Sequence, residues 1–598
     1  MTTIPSRSEI PQQYRWNAES LFASQDEWRA AFEKVMARLS EIDPYRGHLS
    51  DGASVLADYI DLSDELALAA GKVFIYAAMS DAVDKTDQAG GMMLGQAYGM
   101  FGRLQAAFAF FNPELLEIGQ ATLNDWIASE PRLQPYTHMI DDLFRQQEHV
   151  RSAEVEELLG LVIDPFTTYD NAADALINAD LKFAPARTSS GEERPVEHGQ
   201  MDILLYDNDR EVRRTAWQNY ADGYLSVKNS LAASLTGAMK RDVFNMQARR
   251  FDTVLESQLF QFNLPTSVFH NLIDTFKKHI PTWHRYWRAR KKALGVEALN
   301  PYDIWAPLTP YSPRMTYEQA VDMISDGLKP LGEEYGRILR QGCLQDRWVD
   351  SMPNQGKTQG AFSSGWKGTH PFIMMSFNGD LRAMSTLAHE LGHSMHSYFT
   401  WQNQPFAYSN YSMFVAETAS NFNQAMVRAH LLQTNSDRDF QLALIDETMN
   451  NVHRYFFIMP TLARFELEVH TRVERGEGLT ADTLSEIMFN LFAEGYGDEM
   501  HLDKDRIGIT WAQFSHLYVP YYTFQYATGI SAAHALANRI LAGEAGAAEK
   551  YLQFLKAGSS LDPLDALKLA GVDMTTPAAV EETFGVLTTV VERLESLF

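Results

Sequence analysis

Apolar side chains recur at helical spacing along most of this chain. Between residues 54 and 80, Leu56, Ile60, Leu66, Val73 and Tyr76 gather on one side of a 3.6-residue turn. The same period runs through 91–112, 136–160, 213–245, 265–293, 317–341, 437–475 and 482–494, and predicts helices there. Pro and Gly collect between these blocks, at Asn112-Pro113 and from Ala306 to Pro313. Two stretches break the pattern. Leu181 to Glu197 reads as two short extended pieces around a Ser-Ser-Gly turn. Gly360 to Phe377 reads as strand, turn and strand, and the apolar run from Pro371 to Phe377 ends at the turn signal Asn378-Gly379-Asp380. The expected fold is mainly α, with one small β-sheet beside the helix that follows this hairpin.

Composition narrows the picture only in part. A length of 598 residues would allow roughly four ordinary domains, yet no Pro/Gly/Ser-rich linker, charge run or repeat divides the chain. Lys and Arg number 51 against 77 Asp and Glu, a net charge of -26, which argues against a nucleic-acid partner because phosphate contacts need a basic surface. The single cysteine, Cys343, excludes a disulfide framework and a thiolate zinc cluster, and reads as an inert thiol. The opening MTTIPSRSEIPQQYRW has no apolar core of a secretory signal. The longest apolar stretch, near Leu66 to Met79, is interrupted by Lys72 and reads as too short to span a bilayer. The expectation is a soluble, cytoplasmic protein with no membrane partner. Its oligomeric state is left open.

Chemistry enters at His389-Glu390-Leu391-Gly392-His393, an H-E-x-x-H run. On a helix this spacing sets two imidazoles one turn apart with a carboxylate beside them, a geometry that holds zinc and activates water. From Leu381 to Phe399, Met384, Leu387, Leu391 and Met395 fall on one side, and His389, His393 and His396 on the other. A solvated helix face seldom carries three His and no Lys or Arg. Gly392 costs up to about 1 kcal/mol against Ala in a helix interior, so some close approach must offset it.

A catalytic zinc needs a third protein ligand and an open position. His396 lies about 10.5 Å along the axis from His389, too far for bonds of about 2 Å to one ion from a straight helix. It reads as a supporting donor or a packed histidine. Downstream, Glu417 is the one acidic residue between His396 and Asp437, on a second predicted helix whose apolar side is Phe414, Val415, Ala419, Phe422 and Met426. A carboxylate among apolar neighbours is costly unless paired or bound to a metal. An ordinary surface carboxylate is the competing reading, and His430 is a weaker ligand candidate. A later cluster, His516 to Tyr526, holds four tyrosines and a histidine. Such groups can donate to the oxyanion of amide hydrolysis, although tyrosine-rich stretches are more often packing patches.

These residues resemble oligoendopeptidase F, within the wider thimet oligopeptidase family of zinc metallopeptidases. The resemblance rests on His389-Glu390-Leu391-Gly392-His393-Ser394-Met395-His396, on Glu417-Thr418-Ala419-Ser420-Asn421-Phe422-Asn423, on the stretch from His516 to Gly529, on Lys357 to Ser363 and on Arg7 to Trp16. It implies a multi-helical ellipsoid with a deep substrate channel, an N-terminal helical region over 1–200 and a catalytic region over 201–598. It implies one Zn2+ per chain on His389, His393 and Glu417, with Glu390 as general base and acid. His516 and one or two of Tyr521, Tyr522 and Tyr526 would stabilise the tetrahedral intermediate; the tyrosine spacing differs from that of the thimet branch. Gly360, Ala361 and Phe362 would pair with substrate backbone by strand addition. The implied activity is hydrolysis of internal bonds of short peptides. A carboxypeptidase- or dipeptidase-like relative would fail on a blocked peptide, and a silent helical peptide-binding protein would cleave nothing.

Overall fold

The computed structural model describes residues 4–598 and is mainly helical, with two small sheets. The chain forms two compact units, and neither is a continuous stretch. The first comprises the chain up to Glu148, Arg314–His430 and Leu536–Gly571; the second comprises His149–Pro313, Leu431–Ala535 and Val572–Phe598.

The first unit is built on the helix Ala53–Val83, against which Gln88–Phe108 packs. The apolar stretch read as short is therefore part of a 31-residue helix, long and apolar enough by length and composition to cross a membrane. Its burial is that of a core helix: 67% of the most apolar window is buried, while Asp58, Asp61 and Glu65 lie toward its outer side. Trp16, Trp28, Tyr59 and Val73 share its core, and the Trp28 indole donates to the Val73 carbonyl at 2.8 Å.

The predicted hairpin is present. Phe362–Ser364 pairs antiparallel with Phe372–Met374, in the register Phe362 to Met374 and Ser364 to Phe372. A third strand, Val349–Asp350, runs parallel on the other side of Phe372–Met374, which makes Phe362–Ser364 an edge strand. Phe372 meets the Trp16 ring edge-on at 5.1 Å, so the sheet is seated on the core of the same unit. Asp350 is fully buried and accepts from Arg7 at 2.8 and 2.5 Å and from the Trp16 amide at 3.1 Å; Lys357 stands 2.7 Å away. Leaving such a buried charge unpaired would cost about 3–5 kcal/mol, so the segment Arg7–Trp16 is tied firmly to the sheet.

In the second unit, the Ser-Ser-Gly turn joins Ala186–Arg187 to Glu193–Arg194 as predicted, with Gly191 at φ +88°. Three predicted long helices are pairs. Arg210–Ser226 and Lys228–Ala248 meet at Val227, and Thr266–Lys278 gives way to Ile280–Leu294 just before Pro281. In the first unit, Lys329-Pro330-Leu331 and Gly332 (φ +96°) separate Tyr317–Gly327 from Glu333–Leu344. Conversely, 437–475 runs on through a π-turn at Arg454–Ile458, a wider turn that accommodates Pro460, which has no N–H to give.

Candidate metal centre

The turn at Gly379 (φ +79°) delivers the chain to Asp380, whose carboxylate caps the motif helix Leu381–Asn403 by accepting from the Ala383 amide at 2.8 Å. Such a cap is worth about 1 kcal/mol. Met384, Leu387, Leu391 and Met395 are all buried, which fixes the rotation of the helix. The helix Met413–Thr434 lies against it, with Phe414, Val415, Ala419, Phe422 and Met426 buried as the periodicity predicts. Gly392 faces the crossing: a β-carbon there would stand 2.4 Å from the Ala419 carbonyl oxygen. That close approach is what offsets the cost of glycine in mid-helix.

The crossing brings His389, His393 and Glu417 together, with one possible ligand atom from each lying within 4.8 Å of the others. His389 Nε2 is 3.5 Å from Glu417 Oε2, and His393 Nε2 is 4.0 Å from Glu417 Oε1. The imidazole rings lie 4.9 Å apart at 84°, so their edges converge instead of stacking. Ser420 Oγ donates to Glu417 Oε2 at 2.9 Å and Asn421 Nδ2 at 3.4 Å, so these bonds fall on the oxygen nearer His389, while Oε1 faces His393. His393 is held neutral, its pKa pushed down to about 4 by burial and by the adjacent His389. A neutral imidazole is the form that ligates. Two imidazole nitrogens and a carboxylate oxygen match the kind of donor set that a three-ligand catalytic zinc site uses, so the residues present fit that ion.

Glu390 is buried on the same helix, 6% exposed. Burial, with a smaller contribution from the charge of Glu417, raises its pKa to about 7, against the opposing pull of His389 and the Ser363 amide. The edge strand is tied to this helix by Ser363 Oγ and Ser394 Oγ, 2.8 Å apart. Of the three strand residues expected to meet substrate, Phe362 begins the strand, while Gly360 (φ +87°) and Ala361 precede it. His396 is the packed histidine of the two readings: its ring stacks on Tyr411 at 3.7 Å and 8°, and burial pushes its pKa down to about 3. Cys343 is buried with its thiol pushed up to about 12 by burial, as an inert thiol should be.

In the second unit, His516, Tyr522 and Tyr526 form one group. The His516 ring is 5.9 Å from each tyrosine ring, and Tyr526 Oη donates to Tyr522 Oη at 3.2 Å. Tyr521 does not join them. It turns at φ +52°, and its buried ring stacks on His470 at 5.2 Å and meets Phe269 edge-on. Its amide donates to Glu466 at 2.9 Å. No supporting role for Ser420 or Asn421 was legible in the sequence. Their spacing of three and four residues from Glu417 on one helix face is the signal that could have found them.

Fold and side chains together define a metal-dependent hydrolase. Residues 203–586 match the model of peptidase family M3, and residues 114–183 match that of oligopeptidase F. The chain is 35% identical to oligopeptidase PepF of Bacillus subtilis, over 99% of this chain and 88% of that protein. It is 31% identical to group B oligopeptidase PepB of Streptococcus agalactiae, over 99% and 98%. A crystal structure of a putative peptidase from Chlamydophila abortus superposes with TM-score 0.89 at 30% identity, covering 100% of both chains. That of oligoendopeptidase-F from Enterococcus faecium gives 0.74 at 30% identity, covering 96% of this chain and 99% of that one. The chain belongs to peptidase family M3. It is a metalloendopeptidase of the oligopeptidase type, and peptides are its substrates.

Proposed function

We propose that the protein is a zinc-dependent oligoendopeptidase with one ion per chain on His389, His393 and Glu417, and that Glu390 moves the protons. The observation that carries this reading is the convergence of those three ligand atoms within 4.8 Å, with Glu390 on the same helix between the two histidines. When bound, zinc would supply Lewis acidity at the scissile carbonyl and lower the pKa of water at the site. Glu390 Oε accepts the proton of the attacking water as the C–O bond forms. The same carboxyl then gives that proton to the departing amine nitrogen, so the reaction closes with Glu390 ionised again. As the resemblance implies, His516 and one or both of Tyr522 and Tyr526 would donate hydrogen bonds to the oxyanion of the tetrahedral intermediate. Residues 360–362 accept substrate backbone along the edge strand, whose outer side carries no partner strand among the described residues.

The test is metal analysis of the purified protein beside cleavage of a quenched peptide blocked at both ends. One zinc per chain, cleavage abolished by chelator and restored by zinc are expected. Glu390→Gln should keep the metal and lose about 10²–10⁴ in kcat. Retained turnover in that variant would remove Glu390 from the role, and cleavage only of unblocked peptides would point to an exopeptidase.

A further inference from the structure

We infer that Gln424, which no sequence motif singled out, is the positioning residue that fixes the tautomer of His389, and that Ser385 in turn fixes Gln424. This rests on the metal site proposed above and concerns what prepares it.

The chain of constraint begins at an atom with no choice. The Ser385 main-chain carbonyl can only accept a hydrogen bond. Gln424 Nε2 lies 3.3 Å from that oxygen and 2.9 Å from Ser385 Oγ, so the amide must present its NH2 to Ser385. With the NH2 committed, Gln424 Oε1 is the end that faces His389, at 3.1 Å from Nδ1. A carbonyl oxygen accepts, so Nδ1 carries the proton. Nε2 is then the lone-pair nitrogen, and it is Nε2 that points at Glu417. Ser385 is one helical turn before His389 on the motif helix, and Gln424 is two turns after Glu417 on its neighbour. Both are buried, at 5% exposure each, so water does not compete for these bonds. The relay therefore joins the two ligand-bearing helices through the far nitrogen of His389, and it does so with a neutral group. Partners of this kind typically carry about 10–100-fold in metal affinity.

Zinc affinity by competition with a chromophoric chelator tests this, beside thermal melting of the metal-free proteins. Gln424→Met, of similar volume and without hydrogen-bonding capacity, should lose about 10–100-fold in affinity with little change in the metal-free melting temperature. Gln424→Glu, which keeps an acceptor against Nδ1, should recover part of that loss. Nitrogen-15 spectra of labelled histidine in the zinc-free wild type, recorded at a pH well above the imidazole titration range, should show a ring protonated at Nδ1 that changes in Gln424→Met. Unchanged affinity in Gln424→Met, or equal losses in the Met and Glu variants, would overturn the positioning role. A wild type that binds no zinc would instead overturn the metal site itself.

Discussion

Gly392 of the motif helix lies so close to Ser420 of the neighbouring helix that a β-carbon on Gly392 would stand 2.5 Å from the Ser420 α-carbon. The obstacle is backbone, which cannot swing aside as a side-chain tip could. Gly392→Ala therefore forces the two helices apart. Alanine would gain up to about 1 kcal/mol in helix propensity, while overpacking costs about 1–3 kcal/mol. The expected outcome is a net loss of stability in the metal-free protein. Weaker zinc binding should accompany it, because the same crossing sets Glu417 against His389 and His393. Urea midpoints and chelator competition measure the two effects. A variant that matches wild type in both would show that the crossing has slack.

The three candidate tyrosines of the late cluster, Tyr521, Tyr522 and Tyr526, should separate cleanly. Tyr526 Oη gives its proton to Tyr522 Oη, so the Tyr522 hydroxyl has its own proton to offer elsewhere. Loss of a donor to a developing oxyanion costs about 10²–10³ in kcat, and Tyr522→Phe is expected in that range with KM and zinc content little changed. Tyr526→Phe, which removes only the support, should cost less. Tyr521→Phe should leave kcat near wild type, because that ring is buried against His470 and Phe269. Steady-state kinetics on one blocked peptide ranks the three. An effect of Tyr521→Phe as large as that of Tyr522→Phe would place the donor on the wrong residue.

The two helices of the metal centre were legible in the sequence because each is amphipathic, and because two histidines one turn apart with a glutamate between them suit a metal ion better than a solvated face. Gly392 was legible as an anomaly, although its partner was not. The strand Val349–Asp350 was not readable, since two residues have no period. The breaks at Val227 and before Pro281 fell inside unbroken apolar patterns, which report the buried face and are silent about where the axis turns. Gln424 looked like any polar residue, since its role lies in which atom of its amide faces His389. Tyr521 was grouped with Tyr522 and Tyr526 by proximity in sequence, and only the left-handed backbone at Tyr521 sends its ring elsewhere.

His453 offers a test of buried titration away from the metal. Its ring lies among Trp283, Trp287, Trp305 and Phe457, with centroids 6.0, 5.5, 5.1 and 5.1 Å away, and neither ring nitrogen has a hydrogen-bond partner among the described residues. Burial, with the charges of Arg290 and Arg454 adding to it, pushes its pKa down to about 3. The unfolded chain takes up a proton near the ordinary imidazole value of about 6.5, which the folded chain refuses until about pH 3. This group's stabilisation is therefore fully present above about pH 6.5 and is lost progressively as pH falls toward 3, at up to about 1.4 kcal/mol per pH unit. His453→Phe keeps a ring of similar size in the aromatic box and removes the titration. Its stability relative to wild type should rise by about 2 kcal/mol between about pH 7.5 and about pH 5. Urea unfolding at the two pH values measures that difference directly. Parallel losses in wild type and variant on acidification would mean that His453 takes up its proton in the folded protein as readily as in the unfolded chain.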